Sequence, residues 1–258
     1  MKKQTIHTGD IFTVGQHRVA CGDCRDKALV GRLLGKDRVS LILTDVPYGV
    51  AYVESKAGFT KSKVTHEPIA NDHLQSDKEF ALFTHAWLTA AGTHLHRKNA
   101  AYAFCSDKMI FAFHEGMTGA GWRFGQLLHW IKTAAVIGRL DYAPQHETML
   151  YFWLGAHEFL KSTDKSVLIH PKPQRNAFHP TEKPIPILRR LILNSSRIGQ
   201  WVYDPFAGSG TTGLAADQTK RRCAMVELMP AYCRVILDRM ERLTGETARK
   251  LPQTHHGS

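Results

Sequence analysis

The 258-residue sequence has no run approaching the ~18 apolar residues that a membrane span requires. Met1 to Asp10 also lack the apolar stretch of a secretory leader, so a cytoplasmic location is expected. Cysteine is sparse. The five residues (Cys21, Cys24, Cys105, Cys223 and Cys233) are an odd number, which argues against a disulfide framework and for reduced thiols. Cys21-Gly22-Asp23-Cys24 has C-x-x-C spacing, but no second pair or nearby His completes a zinc site, so no metal is expected. Internal repeats and low-complexity tracts are also missing. With 43% apolar and 22% charged residues the chain can bury a large core, which excludes a disordered or fibrous protein. Acidic residues are outnumbered: 23 Asp and Glu face 34 Lys and Arg, a net charge of +11. A polyanion such as nucleic acid suits that excess better than an acidic protein or a neutral metabolite.

Short apolar runs alternate with amphipathic segments. Val39 to Thr44 reads as a strand buried on both faces, and it ends in Asp45-Val46-Pro47-Tyr48-Gly49. Residues 50–71 are polar and read as a mobile loop. Residues 77–91 have helical spacing through Phe80, Phe83, Ala86, Trp87 and Ala90. Strands are expected at 100–105, 125–131 and 148–154, with a helix at 109–118. Residues 156–183 are rich in Pro, His and Lys without periodicity. A helix over 184–196, a strand at 201–203, a helix at 212–218, a strand at 223–226 and a helix at 232–243 complete the pattern. Such alternation predicts an α/β fold around a largely parallel sheet.

Gly208-x-Gly210-x-x-Gly213 stands between a strand and a helix, with Glu227 ending the next strand. Glycines let backbone approach a ligand closely, and a carboxylate at that strand end can accept from ribose hydroxyls, so an adenosine-containing cofactor is expected. Both NAD and S-adenosylmethionine carry one. Asp204-Pro205-Phe206-Ala207 separates the strand from the first glycine, and the Asp204 carboxylate would repel a pyrophosphate but attract a methionine ammonium. Room for only one more strand and helix follows the turn, so the other strands come from earlier in the chain and the order is circularly permuted relative to a dehydrogenase.

Sheet logic puts Asp45 on the same edge as the glycine turn. Here the sequence resembles the β-class amino-group DNA methyltransferases: Asp45-Val46-Pro47-Tyr48 is similar to their D-P-P-Y motif, and Asp204 to Thr212, through Thr211, to their cofactor-binding motif. His179-Pro-Thr-Glu-Lys-Pro184, Gly9-Asp10 with Cys21 to Cys24, and Asp141-Tyr142 with Gln145-His146-Glu147 extend the likeness to the prophage-type adenine-N6 enzymes. The resemblance implies a Rossmann-like methyltransferase fold, S-adenosylmethionine as cofactor, and DNA methylation with base flipping, in or out of a restriction-modification pair. Asp45 would accept from the target amine, Val46 would offer its main-chain carbonyl, and Tyr48 would stack on the flipped base. Asp23 and Cys24 would line the adenine with Phe206 packed near it. Glu227 would hold the ribose, Asp204 the methionine ammonium, and Thr181 and Lys183 the methionine carboxylate.

Val46 departs from the family's proline. Pro47 still biases it toward extended geometry, but proline's fixed φ is lost, which leaves open an active enzyme with a looser pocket or a weakly active DNA-binding variant. Cytosine N4 needs the same acceptors as adenine N6, and Asp rather than Ser at position 45 tilts the reading to adenine by resemblance. An NAD-dependent oxidoreductase fits less well on Asp204 and on topology. DNA contacts are expected from Lys56, Lys61 and Lys63, from Arg139, Tyr142 and His146, and from Lys172 and Arg175, with Arg189, Arg190 and Arg197 adding basic charge beside the lone acid Glu182. The expected organisation is a catalytic domain of residues 1–155 and 179–248, a target-recognition insertion at 156–178 reaching back at most to 132, and a tail at 249–258. The resemblance implies a homodimer.

Overall fold

The structure, a computed structural model, describes residues 5–47, 76–135, 141–171 and 183–252. β1 (Ile11–Val14) and β2 (His17–Cys21) form an antiparallel hairpin closed by Gly15, whose φ of 55° suits glycine. α1 (Lys27–Leu34) starts at Asp26, whose carboxylate accepts from the Ala28 and Leu29 N–H groups. β3 (Val39–Asp45) is buried along all but its last residue, as the run of apolar side chains predicts. α2 (Asp77–Gly92) opens on a capping box made by Ser76 and Glu79. β4 (Leu95–Cys105), α3 (Ile110–Gly119), β5 (Arg123–Ile131), β6 (His146–Trp153), β7 (Ala156–His157) and β8 (Val167–Ile169) follow. α4 (Ile185–Ser195), β9 (Trp201–Asp204), α5 (Thr211–Gln218), β10 (Arg222–Glu227), α6 (Pro230–Thr244) and β11 (Arg249–Lys250) complete the described chain.

The strands form one sheet in the order β11-β1-β2-β10-β9-β3-β4-β6-β5-β8, with β7 pairing β4 off this path. From β2 through β4 every pairing is parallel, while β6 and β5 add antiparallel strands. Helices cover both faces. Leu29 and Leu33 of α1, Phe80 and Trp87 of α2 and Phe113 of α3 fill one core, and Leu188 and Leu191 of α4, Ala215 of α5 and Ile236 of α6 fill the other. Ile42 of β3 belongs to the first core and its neighbours Leu41 and Leu43 to the second, the mark of a strand buried on both faces. β3 precedes β9 in the chain yet lies beside it in the sheet, as the permuted order requires. Among the described residues no helix is long and apolar enough to cross a membrane.

Besides β1, β2 and α1, for which the sequence pattern carries no expectation, two segments depart from expectation. Residues 156–178 are not wholly irregular: β8 pairs in parallel with β5 and buries Leu168 between exposed Val167 and Ile169. Three residues are too few for that alternation to register in the sequence. Residues 249–258 are not all tail either, because β11 pairs β1, the Leu251 N–H donates to the Ile11 carbonyl, and Lys250 Nζ meets the buried Asp10 carboxylate at 2.6 Å. A two-residue strand takes its conformation from its partner, not from its own pattern.

Candidate active site

Parallel strands deliver their carboxyl ends to one edge. Cys21 of β2, Glu227 of β10, Asp204 of β9, Asp45 of β3 and Cys105 of β4 all end there. β3 and β9 are hydrogen-bonded neighbours, and one residue joins their tips: Thr44 Oγ1 donates to Asp204 Oδ1 at 2.7 Å. The Phe206 N–H donates to the same oxygen at 3.1 Å, which turns the chain back over the strand end. Asp204 is almost fully buried. That burial pushes its carboxyl up to about 6, against the hydrogen bonds from Thr212, Thr44 and Phe206 and with a further contribution from the Asp45 charge. A carboxylate so poorly solvated favours a cation as neighbour.

Past Phe206, the Ala207 N–H donates to Val226 O on β10, and Gly210 takes a φ of 81° as the chain enters α5. Any Cβ there would meet Ile236 at 3.0 Å, so the turn needs glycine for its backbone and for its space. At Gly213 a Cβ would fall 2.7 Å from Met225 Sδ, and the glycine lets α5 lie close on β10. Glu227 closes the other side. Its two oxygens accept from the Gly208 and Met229 N–H groups, each at 2.9 Å, and burial pushes its carboxyl up to about 7. Hydroxyl donors suit such a group. Phe206 packs edge-on to Trp87 at 5.5 Å and tilted to Phe83 at 5.6 Å, with the Arg25 guanidinium 5.3 Å from the Phe83 ring centre. Asp23 pairs with Arg25 at 2.6 Å; burial works against the charge, but the guanidinium holds the carboxyl below the usual range. Cys24 is buried, and burial pushes its thiol well up. The structure thus brings Asp23, Cys24, Phe206, Gly208, Gly210, Thr211, Asp204 and Glu227 to one end of the sheet. Phe83, Trp87 and Arg25 join them, although the sequence marked α2 only as core.

Asp45 ends β3 beside a chain of alternating charges. Lys183 Nζ donates to Asp45 Oδ2 at 2.5 Å and lies 3.2 Å from Glu147 Oε2, and Lys132 Nζ lies 2.9 Å from Glu147 Oε1. Burial would lower the Lys183 ammonium, but the Asp45 and Glu147 charges raise it above the ordinary lysine range. Glu147 is held below its ordinary value: burial opposes ionisation, and Lys183 and Lys132 overcome it. Lys183, expected at the cofactor's methionine carboxylate, is paired here with Asp45 and Glu147. Val46 is buried in the first core, and its N–H donates to Phe104 O at 3.2 Å, which extends the β3–β4 ladder past Asp45.

Several sequence-derived positions (Tyr48, Lys56, Lys61, Lys63, Arg139, Lys172, Arg175 and Thr181) lie outside the described residues. Tyr142 is 90% exposed, whereas His146 meets Asp107 at 3.3 Å and the Gln145 amide donates to Lys132 O. The basic stretch has more acid around it than its own sequence shows: Asp164 takes Arg190 and Asn194, and Glu158 takes Arg197 at 2.8 Å. Arg189 stays exposed. Among the described residues no group of three or more His, Cys, Asp or Glu could hold a metal ion.

Comparison with known proteins adds an independent line. The family described as DNA methylase, which spans N6 and N4 amino-group enzymes, matches residues 39–238. The Type II methyltransferase M.HpaI of Haemophilus parainfluenzae is 24% identical over 233 residues, covering 81% of this chain and 70% of that protein. Two solved structures share the fold. The M1.HpyAVI–SAM complex superposes with a TM-score of 0.62 at 19% identity, covering 86% of this chain and 98% of that one. The cytosine-N4-specific PvuII DNA methyltransferase superposes with a TM-score of 0.65 at 14% identity, covering 91% and 94%.

Proposed function

This chain belongs to the N6/N4 DNA methylase family, and from that premise we propose that it transfers a methyl group from S-adenosylmethionine to the exocyclic N6 of adenine in DNA. The observation that carries the reading is the Asp45–Thr44–Asp204 connection, which couples a candidate amine acceptor to a candidate cation site across two adjacent strand ends. The buried Asp204 carboxyl, the glycine turn and Glu227 fit a ligand that has an ammonium at one end and ribose hydroxyls at the other. Asp23, Cys24 and Phe206 fit its adenine. When bound, S-adenosylmethionine supplies an electrophilic methyl on sulfonium.

What the protein must add is a nucleophile. An exocyclic amine keeps its lone pair delocalised into the ring until its N–H groups are engaged by acceptors placed out of the ring plane. Asp45 supplies a carboxylate for one N–H, and the Val46 carbonyl is the acceptor for the other. Two features support a working Val46: the Phe104 hydrogen bond to its N–H and the burial of its isopropyl group fix the strand end that proline fixes in relatives. Tyr48 follows after Pro47 and would stack on the flipped base. Phosphates would be met by Lys56, Lys61, Lys63, Arg139, Lys172 and Arg175, with Tyr142 and His146 near the bases.

The preference for adenine rests on Asp at position 45 of the D-P-P-Y-like motif. Incubation with DNA and methyl-labelled S-adenosylmethionine, followed by nucleoside analysis, tests it. N6-methyladenine is expected. N4-methylcytosine would move the reading to the other amine, and no label in either would overturn the activity.

A further inference from the structure

The charges around Asp45 come from four separate segments: the end of β3, the residue before Pro184 and α4, the start of β6 and the residue after β5. Lys132 and Lys183 are each only 7% exposed in their side chains. Apolar surface backs both ammonium groups, with Lys183 Nζ 5.2 Å from the Phe104 ring centre and Lys132 Nζ 5.4 Å from that of Trp130. Two buried cations need compensation: Glu147 faces both, and Asp45 is the second partner of Lys183.

Resting on the methyltransferase reading, we propose that Glu147, anchored by Lys132, is a positioning residue that holds the Lys183 ammonium on Asp45 and offsets its charge. A lone ammonium at 2.5 Å would fix the Asp45 carboxylate but weaken it as an acceptor, because an opposite charge that close stabilises the ionised form and lowers its basicity. Glu147 takes part of the same ammonium's charge. Asp45 is then held in place yet keeps the electron density that an amine N–H, and the proton released when the N–CH₃ bond forms and the S–CH₃ bond breaks, require. Lys132 holds Glu147 ionised and stops it from drawing Lys183 away from Asp45. Four charges of alternating sign thus set both the position and the acceptor strength of the catalytic group.

The test has a readout that needs no DNA. Carboxyl ¹³C NMR follows the titration of Asp45 in the wild type and in Glu147→Gln. Among the described residues, charged or titratable groups facing Asp45 include Lys183, with Glu147 and Lys132 behind it, and Asp204 and Cys105 at the neighbouring strand ends. Removing the negative charge of Glu147 leaves the Lys183 charge to act on Asp45 in full, so the Asp45 midpoint falls by roughly half a pH unit or more; an unchanged midpoint overturns the proposal whether or not the wild type methylates DNA. In single-turnover methyl transfer at saturating cofactor, Glu147→Gln slows the rate about tenfold or more. Its Kd for S-adenosylmethionine stays within about twofold of wild type, and Glu147→Asp recovers much of the rate. An unchanged rate, or a parallel loss of rate, cofactor affinity and melting temperature that Glu147→Asp does not relieve, also overturns it. Absence of transfer by the wild type is a failure of the methyltransferase reading, and the NMR midpoint then still decides the role of Glu147.

Discussion

Asp204 shows how burial prepares a side chain for a partner. Its carboxyl sits at about 6 because burial outweighs the donors from Thr212, Thr44 and Phe206. Raised above the unfolded value, it contributes stability that is present at low pH and lost as pH climbs from about 4 through about 6. A bound ammonium reverses the balance by favouring the ionised form. If Asp204 holds the methionine ammonium, cofactor binding below about pH 6 expels a proton, and the Kd for S-adenosylmethionine is expected to tighten steeply from pH 5 to about 8 and then level off. Glu227, at about 7, contributes to the upper part of that rise. Isothermal titration across this range checks it: Asp204→Asn should bind weakly and lose the steep acidic limb, and a pH-independent wild-type Kd would contradict the assignment. Val46 carries a second prediction. Restoring the family's proline removes the N–H that donates to Phe104 O and the buried isopropyl group. Val46→Pro should cost about 1–3 kcal/mol in denaturant unfolding and should not speed methyl transfer. A stabler and faster variant would show that the valine is a defect.

At the scale of elements, α2 carries Phe83 and Trp87 onto Phe206, and it is held down where α3 crosses it. Gly116 makes that crossing possible. A Cβ at this position would lie 2.2 Å from the Ala81 carbonyl oxygen and 2.8 Å from Thr84 Cβ, so Gly116→Ala must push the helix backbones apart. We expect a loss of about 1–3 kcal/mol and weaker cofactor binding as the Phe206 wall shifts; thermal melts with and without S-adenosylmethionine measure both. The elements best read from sequence were those with their own strong pattern. β3, α2, α4 and the strand-turn-helix through Gly208 to Gly213 lie within a few residues of expectation. β8 and β11 were not read because two or three residues take their form from a neighbour. The β1–β2 hairpin had a visible glycine turn but strands too short to stand out.

The same contrast holds for the whole molecule. The sequence placed Asp45, Asp204 and Glu227 together because each ends a parallel strand, and parallel topology sends those ends to one edge. It missed the Lys132–Glu147–Lys183 chain because those residues meet through sheet pairing and helix packing, with Lys183 and Asp45 138 positions apart. Charge was similarly half legible. The excess of +11 is a property of the composition, yet Arg190 and Arg197 spend theirs on Asp164 and Glu158. If four or so of the remaining basic residues meet phosphates, raising salt from 50 to 200 mM should weaken duplex binding about a hundredfold. Fluorescence anisotropy measures the slope, and a flat response would exclude a phosphate-tracking surface.

In the proposed function one sheet edge divides its labour, with Asp45 serving the amine while Asp204 and Glu227 serve the cofactor. The single-turnover rate of Asp45→Asn, with S-adenosylmethionine binding verified in the same sample, tests that division most directly. Cofactor affinity should stay near that of the wild type, with methyl transfer slowed by about a hundredfold or more. Transfer at the wild-type rate with cofactor bound would contradict it.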